Sequence, residues 1–556
     1  MKLLKDFQAS WKDTLVCCLN VVALSGWVSV LAELTVGIAL SEKPAFVQSK
    51  IIPDNSLGAE SSGVVPFDSV GFPIDVINGG AIRQANLFHS FQEFNVGKLR
   101  GVYFRNPSND IQNILARVTG QNRSDIFGTV GIFNAIGVTS NPNLFLINPN
   151  GIVFGKNASL DVGGSFIATT ANAVQLSNKG LFSASEPETS NLLTVNPSAL
   201  FFNTLSPQAI INRSIATTTL RGDPTFGLLV PKTQSLLLLG GDIKLDGGLM
   251  AAEGGRIELG GVVGQGAVGL NFDDNNLKLS FPDNVARSDL LFANGAIVST
   301  NGNGAGTIQL YGNRVMLTDA SKILSITRGS TPGEEVVIRA NQLTIQDGSN
   351  VSVGTTGQGQ GGNLRIIAPD SVKVSGATVD EQSSSGLFVR TQGDGAAGNL
   401  QIETEKLTIQ DGAVVAADTF GGGNAGNITI RAAEVELIGA STNNQLLSTL
   451  STQVNRRASG NGGNLTITAG RLIVRDGAQI VTGTLGQGLG GTLTIATSDS
   501  VELLGATLDK QAISRLVTQT EGSKAAGDLT SRPGNCLSEM GRKYQLLPLV
   551  QERGEA

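Results

Sequence analysis

Residues that carry covalent or proton chemistry are scarce in this sequence. It has one histidine, His89, and three cysteines, Cys17, Cys18 and Cys536. Cys17 and Cys18 fall in an apolar N-terminal stretch, so an exported chain would keep Cys536 alone and could form no intramolecular disulfide framework. A lipoprotein reading of Cys17 fails on position, because a lipidated cysteine follows the apolar run rather than opening it. Cys536 reads as a bystander, with intermolecular pairing in an oxidising compartment as its other use. A nucleophile and base would have to share His89, and a His/Cys metal cluster lacks its parts, so no catalytic residues, metal site or cofactor are expected. Charge is sparse as well. Charged residues make 15% of the chain against the usual quarter, and a net charge of -6 leaves no basic footprint, which excludes nucleic acid as an expected partner. With 40% apolar residues the chain can still bury a core, so global disorder is excluded too.

Long apolar runs are confined to the N-terminus. Lys2, Lys5 and Lys12 precede or open a run from Leu15 to Leu31, and small residues follow at Val30 and Ala32 and again at Gly37 and Ala39. This is the pattern of a signal peptide over residues 1–40, cleaved after Ala32 or Ala39. A retained anchor over Leu15 to Leu40 is the competing reading, since that length approaches the ~20 residues that span a bilayer. Asn20, Gly26 and Glu33 weigh against it. No later stretch is apolar enough to span, so the mature chain is expected to have no transmembrane segment.

What the chain has in quantity is glycine, 71 residues against 17 prolines, and a repeat built on it. Asp347-Gly348, Asp411-Gly412 and Asp476-Gly477 each follow an alternating apolar run such as Leu343-Thr344-Ile345 or Leu407-Thr408-Ile409. Gly362-Asn363, Gly398-Asn399, Gly426-Asn427 and Gly463-Asn464 each open a second short strand, and Gly491-Thr492 continues the series. The spacing makes the long period two unequal coils. Short strands with one apolar face, separated by glycine-rich turns and recurring coil after coil, predict a parallel β-solenoid of about fifteen coils at ~4.8 Å each. Asparagines after glycine are placed to stack as a ladder whose amides satisfy turn backbone groups. Phenylalanine marks a second region: 19 of 22 lie between Phe46 and Phe292, and beyond them stand only Phe388 and Phe420.

One local unit carries more information than any of these. Asn141-Pro142-Asn143-Leu144 and Asn148-Pro149-Asn150-Gly151-Ile152 flank the apolar run Phe145-Leu146-Ile147. Proline pushes the preceding residue into extended geometry and Asn can close a local turn, which gives turn, strand, turn. This doublet, followed by Val153-Phe154-Gly155 and Leu160-Asp161-Val162-Gly163-Gly164-Ser165-Phe166, resembles the secretion domain of filamentous haemagglutinin-like exoproteins of two-partner secretion systems. Further matches are Ile52-Pro53-Asp54-Asn55-Ser56-Leu57-Gly58, Gly79-Gly80-Ala81-Ile82-Arg83, Asn86-Leu87-Phe88-His89-Ser90-Phe91 and Gly240-Gly241-Asp242-Ile243. The resemblance implies an all-β fold, a right-handed parallel β-helix with an N-terminal cap placed within residues 42–100. His89 would be a structural part of that cap. It also implies secretion through the periplasm of a Gram-negative bacterium, with an Omp85-type outer-membrane barrel (TpsB-like) as partner and the doublet as secretion motif. The domains expected are 1–40 signal, 41–290 secretion domain, 291–510 repeat β-helix and 511–556 an irregular tail.

Other strings are weighed against blander readings. Gly357 to Gly362 and Gly486 to Gly491 both spell GxGxxG, but each leads into a strand, so they read as repeat turns and not nucleotide loops. Arg221-Gly222-Asp223 spells an integrin-binding tripeptide of the kind that a glycine-rich chain yields by chance. Asp273-Asp274, Glu403, Glu405, Glu434 and Glu436 are the carboxylates that a carbohydrate-active β-helix enzyme, a polysaccharide lyase or hydrolase, could use. Their alternation with Ile402, Val435 and Leu437 is also what a solvated strand face gives. The reading adopted is a non-enzymatic exoprotein, secreted or held at the cell surface, that adheres to cell-surface glycans, proteins or matrix. The β-helix enzyme is the alternative.

Overall fold

The computed structural model describes residues 48–538, except 70–71, 178–179, 191, 193, 274–275, 522–523 and 533–534. The expected signal, Cys17, Cys18, Asp274 and residues 539–556 lie outside the described residues. All described residues belong to the unit Phe46–Ala556. Among them no helix is long and apolar enough to cross a membrane.

The unit is a parallel β-helix with three strands to a coil. Its first face starts at Asn86–Asn95 and continues through thirteen successive parallel pairings to Leu529–Arg532. A second face runs from Ser124–Ile126 to Asn535–Ser538, and a third includes Leu228–Val230 through Arg515–Thr520. Alternation does what strand geometry requires: Leu364, Ile366 and Ala368 point inward and are wholly buried, as are Leu400 and Ile402 one coil on. Each buried Leu or Ile contributes on the order of 2 kcal/mol. No coil can bury its inner residues without a neighbour.

The corners explain the repeat. Asp347-Gly348, Asp411-Gly412 and Asp476-Gly477 have positive φ at both residues (55° and 75°, 57° and 84°, 58° and 90°), the geometry that selects Asp-Gly. The glycines of the Gly-Asn pairs serve close approach instead. A Cβ on Gly398, Gly426, Gly463 or Gly491 would sit on the carbonyl oxygen of the equivalent glycine one coil earlier. The adjoining asparagines form the expected ladder. Asn363 Oδ1 accepts the Asn399 N–H at 2.8 Å, Asn399 Oδ1 that of Asn427 at 3.0 Å, Asn427 Oδ1 that of Asn464 at 2.8 Å, and Asn464 Oδ1 that of Thr492 at 3.0 Å.

The tail does not turn irregular at 511. Arg515–Thr520, Leu529–Arg532 and Asn535–Ser538 continue the three faces. Gly527-Asp528 occupies the Gly-Asn corner there, with the Leu493 N–H donating to Asp528 O at 2.9 Å, and the aspartate hides the repeat.

At the other end, Lys50–Pro53 and Ala81–Arg83 pair antiparallel with Asn86–Asn95, and a hairpin of Ser62–Ser69 and Phe72–Gly79 pairs with Gly101–Asn106. This cap covers the edge of the first coil. A further antiparallel sheet, Ala173–Leu176, Gly180–Ser183, Pro197–Phe202, Gly266–Asp273 and Asn276–Ser280, leaves the helix between coils. It closes a second core, containing Leu115, Phe145, Ile167 and Leu237, on the outer side of the first face.

Candidate functional site

The doublet brackets Asn143–Ile147 on the first face. Leu144 and Leu146 fill the helix interior, while Phe145 and Ile147 fill the second core. Asn143 is 6% exposed and belongs to a buried amide chain: its Nδ2 donates to Asn113 Oδ1 at 3.1 Å, Asn113 Nδ2 donates to Asn86 Oδ1 at 3.0 Å, and its own Oδ1 accepts the Ser165 N–H at 3.0 Å. One asparagine thus ties three coils together. Asn148 is wholly buried, donating to Asn122 O and Ser124 Oγ at 3.0 Å each and accepting the Asn150 N–H at 2.9 Å. Asn150 Nδ2 reaches Gly120 O at 2.7 Å, and Gly151, at φ 110°, completes the turn into Ile152–Phe154. Pro142, Leu144, Gly151 and Ile152 are buried, Pro149 and Asn150 half-buried, and Asn141 is exposed. The folded doublet therefore offers little to a visiting molecule. Its chemistry is that of a double turn lock, and an unsatisfied buried amide partner costs about 1–3 kcal/mol.

Beside it, Arg117 fastens the cap. The guanidinium is fully buried and donates to Ser90 Oγ (2.8 Å), Ser56 Oγ (2.8 Å), Ser183 O and Ser190 Oγ, and lies 4.4 Å from the centre of the Phe182 ring. Burial pushes its pKa down to about 10, opposed by Asp54 and Glu188. Asp54 itself accepts from Ser56, Ser90 and Thr119. His89 is buried, with Nδ1 3.0 Å from Ser62 Oγ and its ring 5.3 Å from that of Phe104. Burial pushes its pKa down to about 3, so the imidazole is neutral at physiological pH. The Ser62 and His89 side chains are both buried within the cap.

The carboxylates of the repeat meet cations from neighbouring strands. Lys406 lies 2.6 Å from Glu434 and 3.4 Å from Glu436, Arg475 3.1 Å from Glu436, and Arg365 3.8 Å from Glu403. Glu405 is exposed. Gly357 to Gly362 and Gly486 to Gly491 are coil corners, where a Cβ on Gly362 or Gly491 would meet backbone of the preceding coil. Arg221-Gly222-Asp223 occupies an exposed turn closed by Thr219 N–H on Asp223 O (2.8 Å), with Arg221 3.4 Å from Asp161.

Residues 49–310 match the family model of the TPS secretion domain. Those residues form a TPS secretion domain. Among solved structures, the chain is similar to the HMW1 secretion domain from Haemophilus influenzae, at 15% identity and TM-score 0.45 over 88% of this chain and 100% of that one. It is also similar to a filamentous hemagglutinin secretion domain, at 13% identity and TM-score 0.24 over 87% and 99%. Comparison with curated proteins gives no match. The secretion domain stops at a structural seam: Tyr311 stacks on Phe281 at 5.1 Å, where the outer sheet's last segment rests on the helix.

Reading the sequence missed two features. The outer sheet has no repeat to announce it. Three loops of one conformation, Gly376 to Ser385, Gly439 to Ser448 and Gly505 to Ser514, left a signal in the strings Gly-Ala-Thr, Gly-Ala-Ser and Gly-Ala-Thr with which they open.

Proposed function

We propose that the exported chain is a non-catalytic binding protein that contacts cell surfaces or matrix. The observation that carries this reading is the pairing of Glu403, Glu434 and Glu436 with Arg365, Lys406 and Arg475. Carboxylates held by cations of adjacent coils make a zipper along the face, whereas hydrolysis or elimination needs acid and base aimed at one substrate bond. Purified exported protein is expected to bind cells or polysaccharides and to return the saccharide intact. Shortened or unsaturated products, lost on Glu436→Gln, would reverse the assignment to enzyme.

For export, the reading is that an Omp85-type barrel takes up residues of about 49–310 from the periplasm before they fold, with the doublet as secretion motif. Burial of Asn143, Asn148, Leu144 and Ile152 supports this order of events, since a receptor could meet those side chains only in the unfolded chain. Outside the cell the doublet locks the third coil, and later coils add apolar surface that resists sliding back. Asn143→Ala and Asn148→Ala are expected to lower the amount of surface-exposed protein. Export of both at the parental level would remove the role given to the doublet.

A further inference from the structure

We infer that the C-terminal coils bind an uncharged, extended β-linked glycan laid along the helix axis across three copies of one loop. The inference rests on the reading of the exported chain as a binding protein and names its ligand class.

The loops alternate with short Asp-Gly corners. After the second-face segment of one coil the chain makes Asp411-Gly412 or Asp476-Gly477, and on the coils between it makes an excursion from Gly376, Gly439 or Gly505. The three excursions share their backbone. Each opens with a glycine of positive φ (74°, 62°, 68°) and has a left-handed tip at Glu381, Asn444 or Lys510 (52°, 58°, 58°). Each is closed by the same bond, from Thr378 to Ser383 O, Ser441 to Leu446 O and Thr507 to Ala512 O, at 2.7–2.8 Å. Glu381 Oε2 accepts the Asn443 N–H at 3.0 Å and fixes the first loop to the second.

A groove of about 690 Å³ crosses all three loops. Val379 and Leu508 stand on it almost fully exposed, at 105% and 97%, and Asp411, Asp476 and Glu381 supply carboxylates. One oxygen of each is held, by Gln410 at 2.6 Å, Arg475 at 2.7 Å and Asn443, and the other can accept from a ligand hydroxyl. Apolar methyl groups beside free acceptors suit a sugar, whose ring C–H faces are apolar and whose hydroxyls donate. Among the described residues no lysine or arginine lines the groove, so a polyuronate or sulfated chain would meet like charge from Glu381, Asp411 and Asp476.

Spacing selects an extended chain. The loops recur every second coil, about 10 Å along the axis. In a β-linked glycan ribbon alternate sugars flip over, so the same face returns every second residue at a length of that order. One chain could then present equivalent groups to each loop, and a second or third contact becomes intramolecular.

Calorimetry of purified exported protein with β-1,4-glucan oligomers of increasing length, beside polygalacturonate, tests this. Affinity is expected to rise at least about tenfold between oligomers that span one loop and those that span three, with no binding of polygalacturonate. Val379→Ser combined with Leu508→Ser changes only exposed side chains and is expected to cost about tenfold on the longest oligomer, with circular dichroism unchanged. Affinity independent of length, equal binding by the double variant, or preference for polygalacturonate would overturn the inference. Cell binding that persists without glucan binding would sink the groove alone. Loss of both would sink the binding reading as well.

Discussion

On the first face of the helix one outward column runs Phe88, Leu115, Phe145, Ile167, Leu237, Glu258, Gln309, Val337, Arg365, Gln401, Thr429 and Thr466, each in register with the next. In the secretion domain these positions are covered by the outer sheet, so its strands are buried on both sides and read as continuous runs such as Leu236-Leu237-Leu238-Leu239. In the later coils the same positions are half-buried, Val337 alone among those named being buried, and the strands from Leu364 onward alternate. The switch falls at Glu258, a wholly buried carboxylate whose Oε2 accepts the Leu279 N–H of the outer sheet at 2.7 Å. Two helices of one architecture are therefore held differently. The first has a cap and a second core, whereas the second depends on its interior and its ladders. A domain that must become stable before the rest of the chain has emerged would need the first arrangement.

The largest test of this contrast is Phe145→Ala against Thr429→Ala, two substitutions in one column. Emptying the second core should cost about 3–5 kcal/mol, and trimming the half-buried threonine no more than about 0.5 kcal/mol. Hydrogen exchange resolved by segment would show the first loss in Asn113–Val118 and Phe166–Thr169. Equal losses at both sites would erase the distinction. Glu258→Ala should follow in size. It leaves the Leu279 N–H buried without an acceptor, for about 1–3 kcal/mol, and should loosen Asn276–Ser280 while the coils after Tyr311 keep their protection.

Acid should separate the regions next. The folded pKa of His89, about 3, lies below its ordinary 6.5 because burial penalises the cation. The unfolded chain therefore takes up the proton first. The contribution is complete above about pH 6.5 and is lost as pH falls toward 3, at up to about 1.4 kcal/mol per pH unit. Between pH 6.5 and 5, protection of Asn86–Asn95 should decline while that of Leu465–Arg475, a region without histidine, holds. In His89→Phe the slope should vanish whatever the absolute stability.

The same contrast decides what could be read beforehand. Gly-Asn and Asp-Gly corners were legible after residue 330 because each coil solves one packing problem and reuses the solution. Before residue 311 the outer sheet breaks the spacing, and the runs at Leu115 or Leu237 do not say what covers them. The cap and the doublet were legible through resemblance, which named Asn141 and Asn148 alike. Burial separates them, since Asn141 is exposed and Asn148 is the lock. The tail was misjudged because Asp528 stands where the series has Asn.

The smallest effect tests whether ladders substitute for a second core. Asn427 accepts the Asn464 N–H at 2.8 Å and donates its own N–H and Nδ2 to Asn399 Oδ1, both at 3.0 Å, on an exposed corner. Water can replace each partner, so Asn427→Ala should cost only about 0.5–1.5 kcal/mol, less than Asn143→Ala in the buried chain of amides. Yet the loss should not stay in one coil. The strands on either side, Leu400–Gln410 and Leu465–Arg475, have no outer sheet and rest on Ile428–Ile438, so exchange should quicken in both. Confinement of the effect to Ile428–Ile438 would mean that these coils are as independently held as those of the secretion domain.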